Sequence, residues 1–332
     1  MAQASRSGAG VQGRVSVVIP TRDRLPLLTE ALESLQRQSH PDWEAVVVDD
    51  GSRDGTVARL QEWGASDPRI RVVVREEEPV GGNHCRNLGF AASTGEFLIF
   101  LDDDDLLSPR CMEERLRWME RAPGLDFGVF PHQHFHTHPG DMEHVVRAVP
   151  GQDDLERYLR VNIPWQTAGA LWRREALLRL GPWDEALPCW QDWDFYVRAL
   201  AQGVRYQCFP DGPLFFHRVQ TPDRPTISGK KRGPPQLRGV EHAVASARRS
   251  LEACGGLTPR RRLLLARLHL NLAEQWREQG HREEAFAVWR RCRERGLVSE
   301  AHYREGQLFL AVWSARPFRG VVRRYLSLRR AA

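Results

Sequence analysis

Four consecutive aspartates, Asp102-Asp103-Asp104-Asp105, follow directly on the apolar run Phe97–Leu101. Neighbouring carboxylates repel one another, so a fold that gathers them needs a cation or generous solvent at their side. An oxygen-only ligand set suits Mg²⁺ or Mn²⁺, which keep several waters and share phosphate oxygens with a substrate. A solvated acidic loop or a structural calcium site is the plainer alternative. A second acidic pair, Asp49-Asp50, follows Ala45–Val48 and precedes Gly51-Ser52. A carboxylate there can accept a base N–H or a ribose hydroxyl; a turn with a helix cap is the commoner outcome for that spacing alone. Residues 132–138 read His-Gln-His-Phe-His-Thr-His. Alternating histidines on a strand share one face, which suits either a transition metal or, more often, a solvated hairpin.

The elements that position these residues are legible in the pattern. Val15–Ile19 is a short continuous apolar run of the kind buried on both faces of a sheet. Leu25, Leu28, Leu32 and Leu35 then share one helical face, with Pro26 in the first turn. Ala45–Val48 is the next strand, and Asp54 caps a helix carrying Val57 and Leu60. Ile70–Val74, a helix from about Asn83 to Ala92, and Phe97–Leu101 complete a β-α-β-α-β-α-β series. Such alternation predicts a mostly parallel sheet with helices on both faces, and ligands gather beyond the carboxyl ends of its strands. Thr21-Arg22-Asp23-Arg24, Asp49-Asp50 and the four aspartates all fall there. Residues 110–215 are less regular, with the apolar stretch Phe127–Phe130, a further strand at Val204–Phe209 and tryptophans at 165, 172, 183, 190 and 193.

The 332 residues suggest roughly two domains. No apolar run reaches the ~18 residues of a membrane span, and MAQASRSGAGVQGR has no apolar segment of a secretory signal. The six cysteines form no CxxC pair and are expected to be free thiols in a reducing cytosol. Charge is uneven: residues 236–332 hold 20 Arg and 9 Glu, while residues 1–235 are net acidic. Residues 218–238, rich in Pro, Gly and Lys, are expected to be a flexible linker. The rest is expected to be all-helical, and LAEQWREQGHREEAFAVWRRCRERG resembles one tetratricopeptide-like unit broken at Gly280. Residues 316–332 carry six Arg and no acid among Val321, Val322, Tyr325, Leu326 and Leu328. They read either as a basic amphipathic helix on the inner face of an anionic membrane or as the end of the helical domain, with Trp313 and Phe318 in contact with it. No nucleic-acid motif accompanies the charge, so a nucleic-acid partner is not expected.

Together the motifs resemble a family 2 glycosyltransferase of the GT-A fold. The resemblance runs from Val15 to Arg218 through VSVVIPTRDR (15–24), VVVDDGSRDGT (46–56), GGNHCRNLGFAASTGEFLIFLDDDD (81–105) and QDWDFYVRAL (191–200). It implies a GT-A domain over 14–217; composition and pattern, outside the resemblance, put a disordered segment over 1–13, the linker over 218–238 and a tetratricopeptide-like helical domain over 239–332. The resemblance also implies roles. Pro20 and Arg22 border a nucleoside pocket, Asp50 contacts the base, and Arg86 lies near the diphosphate. Asp102-x-Asp104 matches the Asp-x-Asp motif, with Asp104 on a Mn²⁺ or Mg²⁺ ion and Asp102 on ribose or a metal water. Asp103 stands where a small residue is commoner. Asp192 falls on the acid of a Glu-Asp motif, the general base, although Gln191 replaces the Glu. His217-Arg218 falls on a loop that closes over the diphosphate. Apart from the resemblance, most of the tryptophans at 165–193 are expected to be core, and Trp193, because it adjoins Asp192, is the candidate platform for an acceptor sugar. The implied activity is inverting, metal-dependent transfer from a nucleoside-diphosphate sugar, UDP first, to a hydroxyl. Two rivals are a nucleotidyltransferase, which wants a Gly-rich loop where Pro20-Thr21-Arg22-Asp23-Arg24 has none, and a non-catalytic binding module, which has no need of Asp50, Asp104 and Asp192 together.

Overall fold

The computed structural model describes residues 11–76, 80–149, 151–219 and 233–312. The strands are β1 (Val15–Thr21), β2 (Trp43–Asp49), β3 (Ile70–Val74), β4 (Phe97–Phe100), β5 (Leu106–Leu107), β6 (Phe127–Val129), β7 (His132–Phe135), β8 (Val145–Val146), β9 (Ala170–Arg173), β10 (Tyr206–Cys208) and β11 (Phe215–Arg218). The helices are α1 (Leu25–Gln36), α2 (Thr56–Ser66), α3 (Gly82–Ala92), α4 (Cys111–Arg121), α5 (Asp154–Leu159), α6 (Arg174–Leu180), α7 (Gln191–Ala201), α8 (Pro234–Ala253), α9 (Pro259–Glu278), α10 (Arg282–Glu294) and α11 (Glu300–Ala311).

The chain forms two compact units. The first takes the described residues of Met1–Gln152, Pro164–Glu185 and Gly203–Thr226. Its main sheet runs β10-β6-β9-β4-β1-β2-β3, and a smaller one runs β5-β11-β7-β8. Strands β4, β1, β2 and β3 are parallel, whereas β9 is antiparallel to β4 and β6. Val15, Val17 and Ile19 share a core with Leu28, Leu32 and Leu35 of α1. Val46, Val48 and Cys85 form the core on the other face, beneath α3. Helix α3 comes so close to the sheet that a Cβ on Gly89 would lie 2.4 Å from Val18. Asp54 does serve the start of α2, accepting from the Thr56 N–H at 3.1 Å, but the capping position is Gly55 at φ +94°. Asp54 also accepts the Leu25 N–H at 3.0 Å, so one carboxylate anchors the starts of α1 and α2.

The second unit takes the described residues of Asp153–Ile163, Ala186–Gln202 and Ile227–Ala332. The expected 14–217 domain is therefore not one compact unit: α5 and α7, which interrupt it in sequence, join α8–α11. Burial explains α7, whose Phe195, Tyr196, Val197 and Ala199 are all buried, more than a one-sided surface helix requires. The turn at Gly280 stands, at φ +86° between α9 and α10. Helix α11 is held against α10 at Gly306, where a Cβ would lie 2.4 Å from the Trp289 indole.

The ends of the expected segments also shift. Of the segment 1–13 expected to be disordered, residues 1–10 lie outside the described residues, while the Gln12 N–H donates to Glu120 at 2.8 Å and the Gly13 carbonyl lies 3.0 Å from His40 Nε2. Of the linker 218–238, Arg218 closes β11 and residues 234–238 open α8, whose first-turn prolines have no need of an N–H partner. Residues 220–232 and the basic segment 316–332, with Trp313 and Phe318, lie outside the described residues. Among the described residues no helix is long and apolar enough to cross a membrane.

Candidate active site

The parallel register brings the ends of β1 and β2 side by side, pairing Thr21 with Asp49. The next residue, Asp50, donates its N–H to the Thr21 carbonyl at 2.9 Å. Its carboxylate accepts from Arg75 Nη1 at 2.5 Å, from the Gly81 N–H at 2.8 Å and from the Val80 N–H at 3.2 Å. Arg75 follows β3 and Gly81 caps α3, so Asp50 ties three strand ends together while staying buried. Pro20 is half-buried within β1, and Arg22 is exposed, with its Nε 3.6 Å from Asp23.

The acid run beyond β4 separates into four environments. Asp102 is the most open and accepts from Arg86 Nη2 at 2.7 Å. Arg86 itself is buried, with its guanidinium 4.9 Å from the Trp183 ring centroid. Asp103 turns inward, accepting from Thr21 Oγ1 at 2.8 Å and Arg24 Nη1 at 3.0 Å. The same Arg24 nitrogen is 3.0 Å from Asp104. Asp105 is buried and accepts from His217 Nδ1 at 3.1 Å and the Arg218 N–H at 2.9 Å.

The charge follows these environments. Burial raises the Asp103 carboxyl to about 6, against the pull of Arg24 and Thr21. Burial and then the charges of Asp105, Asp102 and Asp103 push Asp104 up to about 7, with Arg24 opposing. Burial alone would neutralise His217, but Asp105 overcomes it and raises the imidazole to about 9. Arg218 is held in place from several sides. Its Nε donates to the Asp104 carbonyl at 2.9 Å, its Nη2 to Glu30 at 2.7 Å, and its guanidinium lies 4.3 Å from the Phe135 ring centroid.

The structure thus joins Asp102, Asp104, Arg86, His217 and Arg218 around one strand end. Among the described residues no three His, Cys, Asp or Glu side chains are arranged to hold a metal ion. The donor set is nonetheless all oxygen, it carries surplus negative charge at Asp104, and a guanidinium already sits where a cation is wanted. Those features fit a divalent ion held by few protein ligands and completed by water and phosphate.

The histidine run divides. His132 and His134 lie on β7 with ring centroids 5.2 Å apart, and His134 also neighbours His144 at 4.7 Å and His217 at 5.6 Å. Burial, then neighbouring histidines, lowers His132 to about 3 and His134 to about 4. His136 and His138 belong to a turn organised by Asp141, which accepts the N–H groups of His136, Thr137 and His138.

On the second unit, α7 begins at Gln191, so Asp192 lies inside its first turn. The capping residue is Trp190, in the left-handed region at φ +61°. Trp193 is 3% exposed and donates its indole N–H to the Tyr158 carbonyl at 2.6 Å. It is a core residue, which removes it as the acceptor platform. Trp165, Trp172 and Trp183 are buried too, and Trp190 is the half-buried member of the five.

Residues 16–180 match the family model described as Glycosyl transferase family 2. This segment belongs to that family. Beyond it, the chain is 30% identical over 189 residues to an uncharacterized glycosyltransferase of Haemophilus influenzae, covering 57% of this chain and 62% of that one. The chain therefore spans about three fifths of the length of this relative. Two solved structures share the fold. S. aureus TarS 1–349 in complex with UDP-GlcNAc has a TM-score of 0.61 at 16% identity, covering 91% of this chain and 92% of that one. The mannosyltransferase PcManGT of Pyrobaculum calidifontis, in complex with GDP-Man and Mn²⁺, has 0.52 at 20%, covering 95% and 84%. The GT-A sheet and the helical C-terminal region both stand.

Four features of the site are not legible in local sequence. Arg24 lies within the VSVVIPTRDR motif, but nothing local marks its carboxylate partners. Arg75 is one basic residue after a strand among many. The Asp105–His217 pair joins positions 112 residues apart. Trp190 lies against Trp193, ring centroids 4.9 Å apart, and only the exact start of α7 separates the half-buried ring from the buried one.

Proposed function

We propose that the chain is an inverting glycosyltransferase, assisted by a divalent cation, that moves a sugar from a nucleoside-diphosphate donor to a hydroxyl acceptor. The observation that carries this reading is the acid run at the carboxyl end of a parallel strand, with Asp102 and Asp104 open beside the cations Arg86, His217 and Arg218. Asp102 and Asp104 would hold Mn²⁺ or Mg²⁺. That ion, when bound, supplies positive charge against the diphosphate. UDP sugars are the first donors to try, since the fold is that of a protein crystallised with UDP-GlcNAc.

In this mechanism the nucleoside lies against Pro20 and Arg22, with the base at Asp50. Asp192 takes the proton of the acceptor hydroxyl as its oxygen attacks the anomeric carbon. The bond to the diphosphate oxygen breaks with its electron pair on that oxygen, and the anomeric configuration inverts. Arg86 and the charged His217 stabilise the negative charge that leaves. Trp190, two residues before Asp192 and half-buried, takes over from Trp193 as the ring against which an acceptor sugar stacks.

The test is a donor and acceptor screen on the full chain with Asp192→Asn beside it. The variant is expected to keep donor binding and to lose about 10²–10⁴-fold in transfer rate. NMR of the fresh product should show the anomeric configuration opposite to the donor's. Retention of configuration, or wild-type turnover by Asp192→Asn, overturns the mechanism.

A further inference from the structure

The four-aspartate run carries two more acids than the proposed cation site uses; Asp105 is taken by His217, and Asp103 lies beside Arg24, a cation with no role in that mechanism. Asp103 and Arg24 account for each other. Arg24 joins the end of β1 to the start of α1, and its side chain is 37% exposed. A strong arginine–carboxylate pair is bidentate, with two nitrogens on two oxygens. Here a single nitrogen, Nη1, is 3.0 Å from both Asp103 Oδ1 and Asp104 Oδ2. Its hold on either carboxylate is partial. Asp103 has a second partner in Thr21 and is buried, whereas Asp104 keeps an open side.

We propose that Arg24 is an internal counter-ion that occupies Asp104 in the cation-free protein, yields that carboxylate to the incoming divalent cation, and stays on Asp103 afterwards. The inference rests on the reading of Asp104 as a cation ligand. A divalent ion outcompetes a singly charged guanidinium at the same oxygen because its attraction is doubled and its radius smaller. Asp103 is then a tether. It keeps Arg24 beside the site when Asp104 is given up, so the swap needs only a side-chain rotation. Arg24 therefore competes with the cation. It is a positioning residue, and removing it should tighten cation binding.

The experiment is a Mn²⁺ titration of the full chain without nucleotide, read by the EPR signal of free Mn²⁺. It compares wild type, Arg24→Gln, Arg22→Gln and Asp104→Asn. Arg22→Gln removes the same charge from the same loop at a residue whose ion pair is with Asp23. Arg24→Gln should bind Mn²⁺ about tenfold more tightly, Arg22→Gln should change binding much less, and Asp104→Asn should lose it. In the presence of chelator Arg24→Gln should also melt below wild type, and Mn²⁺ should remove that deficit. Unchanged or weaker Mn²⁺ binding by Arg24→Gln overturns the counter-ion role, as does an equal gain from Arg22→Gln. Wild-type Mn²⁺ binding by Asp104→Asn overturns the cation reading of that residue and the inference with it. If Asp104→Asn loses Mn²⁺ while Arg24→Gln matches wild type, only the role of Arg24 fails.

Discussion

Two acidic strand ends lie on the same sheet, and they hold their charge in opposite ways. At the end of β2, Asp49 accepts the Gly51 and Ser52 N–H groups at 3.1 and 2.9 Å, and Asp50 is enclosed by Arg75 and the N–H groups of Val80 and Gly81. Beyond β4, four carboxylates share Arg24, Arg86 and His217 unevenly, and Asp104 is raised to about 7 by burial and its three acidic neighbours. The sequence motifs look alike, each a run of aspartates after a buried strand. The difference lies in what the chain delivers from elsewhere. Asp50 receives fixed donors and becomes a rigid acceptor edge. Asp104 receives a shared guanidinium and remains a place that calls for a cation. A third acid, Glu44, marks the other end of the sheet. It is buried, and despite that burial its bonds to Thr94, Ser16 and Arg71 lower it to about 2, as befits a structural carboxylate.

The contrast predicts stability effects of opposite sign. Asp50→Ala takes a buried acceptor from Arg75 and from two backbone N–H groups, and breaking such a pair typically costs about 3–5 kcal/mol. Asp104→Asn removes one charge from a crowd and keeps the shape, so without cation it should be neutral or stabilising. Urea unfolding of both variants in chelator measures this. Equal losses would mean that Asp104 is as firmly built in as Asp50, and the distinction would collapse.

A smaller effect is set by pH. Asp103 and Asp104 lie at about 6 and about 7, above the 3.8 of a free aspartate. The native state keeps protons there that the unfolded chain has released, so the cation-free protein should lose stability as pH rises from about 4 to 7. A divalent cation held as proposed would bind the ionised form and offset that loss. The rise in melting temperature produced by Mn²⁺ should therefore grow from pH 5.5 to 7.5. A Mn²⁺ shift that is constant across this range would show that the crowding is relieved by something other than the cation.

The parts of this site that local sequence fixes were legible, and the parts that depend on packing were not. Strands β1, β2 and β4 are short apolar runs whose ends carry the acids, so strand and site are read from the same ten residues. The leucines of α1 repeat at helical spacing, and the sheet and helices agree with them. Reading Asp103 as an inward tether needs Thr21 and Arg24, 82 and 79 residues away, which no local pattern supplies. The grouping of α5 and α7 with α8–α11 is beyond local sequence for the same reason. Helix α7 carries the QDWDFYVRAL segment whose resemblance to a GT-A motif placed it in that domain, but its buried face is completed by helices that come later in the chain. Trp193 was chosen for adjoining Asp192, and in a helix adjacency in sequence places side chains on different faces.

Within the run itself Asp105 behaves as Asp50 does, and this gives the finest test of the comparison. Asp105 is buried with defined donors, His217 Nδ1 and the Arg218 N–H. Burial opposes charge on His217, and Asp105 overcomes it, with Asp102 and Asp104 adding, to raise the ring to about 9. The folded value is thus above the ~6.5 of a free histidine. The stability this charge contributes is complete below about pH 6.5 and is lost as pH rises through about 9. Asp105→Asn removes the main partner and leaves the burial in place. NMR titration of the His217 ring should then give a value at or below the ordinary histidine range, and the alkaline loss of stability should flatten in urea unfolding at pH 6, 7.5 and 9. The acid that is paired would then be separated by measurement from the acids that are crowded. Should His217 still titrate near 9 in Asp105→Asn, the charge is held by Asp102 and Asp104 acting across the site. The four aspartates would then have to be treated as one field, with no member set apart as structural.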